Sequence, residues 1–124
     1  MKIPIAFKAT GAVMLTDEIQ TYVEEKFQKI EKLIPESDTS ARADVELGTT
    51  GGSRTGEQFR AEINLKVAGA FHRAEATRET LHTAIDEVVE EVRGEVRKSV
   101  TKHRDLVRRG AARVKDIFRY WAGK

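Results

Sequence analysis

The chain has 124 residues, with 22 Lys and Arg, 20 Asp and Glu and no cysteine. That length allows one domain and a tail but not two domains, and without cysteine there is no disulfide, thiolate metal site or cysteine nucleophile. The net charge of +2 hides an asymmetry: residues 1–92 carry 11 Lys and Arg against 17 Asp and Glu, a net −6, and residues 93–124 carry 11 against 3, a net +8. A split of this kind points to a polyanionic partner for the C-terminal third, either nucleic acid or an anionic membrane surface. A solvated, charged helix end accounts for the same run. The N-terminal stretch has no continuous apolar region of signal-peptide type and no segment approaches a membrane span, so a cytoplasmic protein is expected.

Lys2 to Lys8 alternates, with Ile3, Ile5 and Phe7 on one side, and predicts a half-buried strand. Pro4 has no N–H to give to a ladder. Thr16 is placed to cap a first helix, with Asp17 and Glu18 in its first turn. Ile19, Tyr22, Val23, Phe27, Ile30 and Ile34 make its apolar face, and Pro35 ends it. Glu25 and Lys29 form an i, i+4 pair on its outer surface. Lys26 projects close to the apolar face, where its stem can lie over the edge of the core.

Arg42 to Thr49 alternates again, as does Gln58 to Val67. Between them, GTTGGSRTG (residues 48–56) is glycine-rich. It lacks the Gly-Lys-Ser/Thr of a phosphate-binding loop and joins two strands, so it reads as a hairpin loop. A fourth strand, Phe71 to Ala76, follows a tight connection at residues 67–71.

From Thr77 to Arg109 the apolar residues Leu81, Ala84, Ile85, Val88, Val89, Val92, Val96, Val100 and Val107 recur at steps of three and four. They predict one long helix, capped by Thr77 and stopped at Gly110. Some thirty residues span about 45 Å, more than a small domain covers, so its second half is expected to project. Its charge changes sign near Val92. The predicted fold class is α+β: a two-layer β-α-β-β-β-α sandwich, with a four-stranded sheet carrying two helices on one face, strands two to four as an antiparallel meander, and a long C-terminal helix. Residues 1–107 form the domain. Residues 108–124 form a basic, aromatic tail in which Phe118, Tyr120 and Trp121 mix with Arg113, Lys115 and Arg119. The tail can dock on the domain, on a ribonucleoprotein, on a second copy or at a membrane interface.

No catalytic constellation is present. His82 and Asp86, four apart on one helix, make half a metal site with no third ligand by spacing. Glu90 and Glu91 are adjacent and diverge. No serine has the context of a nucleophile elbow. The expectation is a protein that is not an enzyme and takes no metal or cofactor.

Several local patterns together resemble a known family. The first helix carries Val23-Glu24-Glu25-Lys26-Phe27-Gln28-Lys29-Ile30-Glu31, similar to Val-x-x-Lys-Phe/Leu-x-Lys-Leu-Glu. The fourth strand and second helix carry His72-x-Ala74-Glu75-Ala76 and then Leu81-His82-Thr83-Ala84-Ile85-Asp86, similar to His-Ala-x-Ala followed by Asp-Met-Tyr-Ala-Ala-Ile-Asp. With the element order, these residues resemble the ribosome hibernation promoting factors, also called protein Y or ribosomal subunit interface proteins, over roughly residues 1–107. The resemblance implies a fold like a double-stranded-RNA-binding domain with one added strand. It also implies a translation inhibitor that binds small-subunit rRNA near the decoding centre and blocks the tRNA and mRNA sites. The expected partners are the small subunit and its rRNA, extending to the whole ribosome, with no small-molecule substrate and no membrane. Lys8, Lys26, Lys29, Arg93, Arg97, Lys98, Lys102 and Arg104 are the expected phosphate-facing cations, by charge and shape rather than base sequence. The sequence departs from the family at Glu91 and Gly94, where Lys and Arg are usual, and its basic, aromatic tail differs from the acidic tail of the protein Y branch. Two alternatives stand beside this reading. One is a diverged module that binds another RNA or an anionic membrane surface through the basic C-terminal region. The other is self-association through the tail or an open sheet edge.

Overall fold

Each alternating run becomes a strand and each 3.6-period run a helix, in the order β1 (Ile5–Ala9), α1 (Asp17–Glu31), β2 (Arg42–Thr50), β3 (Gln58–Val67), β4 (Ala70–Arg78) and α2 (Leu81–Arg108). The computed structural model describes residues 3–35, 38–50, 58–67 and 70–108, with side chains as far as 102. Of the expected tail, residues 108–124, Arg108 ends α2 and the rest lies outside the described residues, as do positions 51–57 of the glycine-rich loop. Gly48, Thr49 and Thr50 of that loop belong to β2, and Thr50 pairs with Gln58, as a hairpin requires.

The sheet order is β1-β2-β3-β4. β2, β3 and β4 form the expected antiparallel meander, and β1 lies parallel to β2 at the edge. A parallel pair needs a crossover, and α1 supplies it. Pairing of β1 begins where Pro4 accepts from Ala43 N at 3.0 Å, and Ile3 N just before it donates to Glu31 Oε2 at 2.8 Å. The start of the chain is thereby tied to the end of α1.

Alternation sends Ala43, Val45 and Leu47 of β2, Ala61, Ile63 and Leu65 of β3, and Ala74 and Ala76 of β4 to one face. Val23, Phe27 and Ile30 of α1 and Ala84, Ile85, Val88, Val89, Val92 and Val96 of α2 pack against it in a single core. Phe27 is fully enclosed, and truncation of a phenylalanine so placed costs about 3–5 kcal/mol. Tyr22 meets Asp86, Lys26 meets Asp86 and Lys29 meets Glu90. The numbers climb together along both helices, so α1 and α2 run parallel.

Local signals set the element ends. Thr16 caps α1, its hydroxyl accepting from Ile19 N at 3.1 Å. The cap of α2 is Thr80, not Thr77: Thr80 Oγ1 accepts from Thr83 N at 3.2 Å. Thr77 instead pairs with Arg60, because the alternation of β4 runs on through Arg78. Gly11 has φ of 64°, and a side chain there would collide with Thr49 Oγ1. Ala12 N donates to that same hydroxyl at 3.2 Å. No helix among the described residues is long and apolar enough to cross a membrane.

Candidate nucleic-acid interface

The core stripe of α2 passes through Val88, Val89, Val92 and Val96 and reaches half-buried Val100. Packing on the domain therefore continues beyond the midpoint expected from the sequence. At about 100° per residue, positions 97 and 98 turn away from the Val96 stripe. Arg97, Lys98 and Lys102 are exposed and have no ion-pair or hydrogen-bond partner among the described residues. Arg104 lies in α2 on a turn whose side chains fall outside the described residues.

The other expected cations on the helices are paired. Lys26 Nζ lies 3.6 Å from Asp86 Oδ1 and 5.4 Å from the centroid of the Tyr22 ring. Lys29 reaches Glu90 Oε2 at 3.8 Å across the helix–helix seam, instead of following the expected path back along α1 to Glu25. Arg93 meets Glu90 Oε1 at 3.2 Å, so Glu90 holds one cation from each helix. The seam is closed by the Tyr22 hydroxyl, which donates to Asp86 Oδ1 at 2.6 Å, and by His82, edge-on to the Tyr22 ring at 4.5 Å. The bond to Asp86, then burial, then the carboxylate's charge push the Tyr22 phenol up to about 12. Asp86 thus serves Tyr22 and Lys26. Among the described residues no group of three His, Asp or Glu is placed to hold a metal.

Lys8 is on the opposite, open face of the sheet. Its register partner there is Glu46. This face carries a charge network that the sequence reading missed. Glu46, Glu62 and Glu75 are consecutive register partners on β2, β3 and β4, a row of like charges that would repel unless neutralised. Arg60 joins Glu46, Glu62 and Glu75, and Arg73 joins Glu62 at 2.6 Å and Glu75 at 3.9 Å. Glu62 is the centre, 7 % exposed, with Asn64 donating as well. Burial alone would raise its pKa, but the bonds from Arg60, Arg73 and Asn64 outweigh it and hold the carboxyl below its ordinary value. The same contacts, led by Glu75, raise Arg60.

Two rows along the same face from Glu62 lies a row whose cations are not paired. Arg42 pairs with Lys66, and Lys66 with Phe71. Neither cation has a partner among the described residues, and Phe71 is 73 % exposed. The alternation of each strand places all three outward, but only the register brings them together. A groove of about 860 Å³ between the β1 edge and α1 is lined by Glu24, Glu25 and Glu31 as well as Lys32. Its charge does not suit a polyanion.

Comparison with known proteins agrees with this architecture. The structure is similar to the N-terminal domain of Protein Y from Thermus thermophilus, with a TM-score of 0.65 and 26 % identity, covering 77 % of this chain and 98 % of that one. It is also similar in fold to a ribosomal subunit interface protein from Coxiella burnetii, with a TM-score of 0.52 and 14 % identity over 75 % of this chain and 94 % of that one. No curated protein matches the sequence. Residues 9–104, which take in α1, strands β2 to β4 and α2 as far as Arg104, match the family described as sigma 54 modulation protein / S30EA ribosomal protein, and the chain belongs to that family.

Proposed function

We propose that this chain is a ribosome-associated regulator of translation, of the hibernation type, that grips rRNA phosphates with the basic stem of α2. The observation that carries the reading is the run Arg97, Lys98 and Lys102, exposed and free of carboxylate partners among the described residues. Membership in a family described as a ribosomal protein supports the choice of partner. The bound site is small-subunit rRNA near the decoding centre, where the domain blocks tRNA and mRNA. The protein then works in the cytoplasm without a substrate or cofactor. Residues 1–107 are the binding domain and residues 108–124 a separate basic, aromatic tail. Arg93, Lys26 and Lys29 join the contact when phosphates displace Asp86 and Glu90, Arg104 extends it along α2, and Lys8 meets RNA that passes to the open face.

Co-sedimentation with ribosomes at low and high salt tests this. Binding that weakens with salt is expected, and Arg97→Glu with Lys98→Glu abolishes it while circular dichroism stays unchanged. Undiminished binding of that double variant overturns the assignment.

The pairing of Lys26, Lys29 and Arg93 with Asp86 and Glu90 favours a second reading, a diverged module whose basic C-terminal region binds another RNA or an anionic membrane. It predicts no ribosome binding at low salt. Flotation with anionic vesicles then separates its two forms.

A further inference from the structure

Three side chains on the solvent face of the sheet are arranged at a cost to the folded protein. Arg42 and Lys66 are direct cross-strand partners, and like charges so placed are destabilising. Lys66 is in turn the partner of Phe71. That ring is 73 % exposed, one of two large apolar side chains so open among the described residues. At the usual strand spacing of about 4.8 Å, the row is roughly 10 Å across.

Its surroundings set the sign of the local field. The next row inward is Asp44, Asn64 and Arg73. Asp44 is the one carboxylate there, and it makes no ion pair with Arg42 or Lys66. Arg73 is committed to Glu62 and Glu75. The carboxylates of the sheet centre are thus held by Arg60 and Arg73, and the unpaired charges of this end are Arg42 and Lys66 against Asp44, a net positive. α2 leaves the domain at the same end: His72, beside Phe71, has Nδ1 3.5 Å from Glu95 Oε1, and Arg97 and Lys98 follow directly.

We propose that the Arg42–Lys66–Phe71 row binds single-stranded RNA, with Phe71 stacking on one unpaired base and Arg42 and Lys66 taking the phosphates beside it. A flat sheet with an open aromatic beside cations is the surface that single strands use, because every base has a face to stack and every linkage a charge. A duplex hides its base faces and cannot use the ring. A protein partner finds one apolar side chain among charges, too little for a stable apolar contact. The row goes beyond the α2 contact proposed above, and its binding does not depend on a ribosome.

The test uses the whole chain and a labelled oligouridine of about eight nucleotides, read by fluorescence anisotropy. Phe71→Ala is expected to weaken binding about fivefold or more, the range found for loss of one base–aromatic stack. Phe71→Tyr keeps the ring and retains the affinity. Arg42→Ala with Lys66→Ala lowers the slope of log K against log salt by about 1.4, at about 0.7 per phosphate on a single strand. Equal affinity of Phe71→Ala and the parent overturns the proposal, as does the absence of oligouridine binding by the parent. So does a parent that sediments as a dimer and becomes monomeric with Phe71→Ala, since the ring is then buried against a second copy. Ribosome co-sedimentation of Phe71→Ala and of the Arg97, Lys98 double variant, run alongside, separates failure of this row from failure of the α2 contact.

Discussion

Glu90→Gln isolates the electrostatic part of the proposed ribosome contact. Glu90 holds Lys29 at 3.8 Å and Arg93 at 3.2 Å, and its side chain is 53 % exposed. Exposed pairs of this kind contribute about 0.2–1 kcal/mol each, so losing both costs the variant about 2 kcal/mol of stability at most and it stays folded. Removing the carboxylate frees two cations on the face proposed to meet RNA. In the parent, phosphates reach these cations only by displacing Glu90. The variant is spared the about 0.4–2 kcal/mol that breaking both pairs costs, which predicts binding to small subunits about two- to thirtyfold tighter. The assay is quantitative co-sedimentation across roughly 50 to 200 mM salt. Glu91→Gln is the control: the same charge is removed from an exposed neighbour that holds no cation among the described residues. If Glu90→Gln binds no tighter than the parent, or no tighter than Glu91→Gln, the Lys29 and Arg93 face does not meet phosphate.

Gly94→Ala is expected to stabilise the protein, since a Cβ there meets nothing within 4 Å and alanine gains about 1 kcal/mol over glycine in a helix; thermal melting should rise by several degrees. Tyr22 should ionise at about 12, read by ultraviolet titration in a Tyr120→Phe background. Its raised value means stability that is complete below the ordinary phenol pKa near 10 and lost as pH climbs from there towards 12, and a transition near 10 would show that the Asp86 bond is not made in solution. The lowered Glu62 carboxyl contributes stability that is present above the ordinary carboxylate pKa and lost as pH falls through its folded value. Glu62→Gln should therefore be less stable at neutral pH, with a shallower acid limb in denaturant melts, and an unchanged limb would remove Glu62 from acid unfolding.

The fold was legible because period and face coincide: Ala43, Val45 and Leu47 share one side of a strand, and Val88, Val92 and Val96 one side of a helix. Chain order gave the meander, but nothing in the alternation of Ile3, Ile5 and Phe7 names the neighbour of β1. The site was less legible because charge pairing depends on contacts between elements. Lys29 has Glu25 at the right spacing in its own helix but meets Glu90 in the other. Thr77 and Thr80 are both sound caps locally, and strand pairing to Arg60 decided between them. Glu62 reads as an outward residue from its strand alone. Its burial comes from Arg60 and Arg73 closing over it. Arg42, Lys66 and Phe71 are unremarkable until the register sets them side by side.

The continuity of α2 also makes it a ruler. Eight residues separate Val100, the last valine packed on the core, from Arg108, where the helix ends, and at about 1.5 Å each they set a standoff of about 12 Å. Because helix phase is kept along the whole length, one residue inserted after Val100 turns everything beyond it by about 100°, whereas four restore the heading to within about 40°. The heading of the helix at Arg108 is therefore written into the number of residues in the stem, and changing that number re-aims it without touching the core.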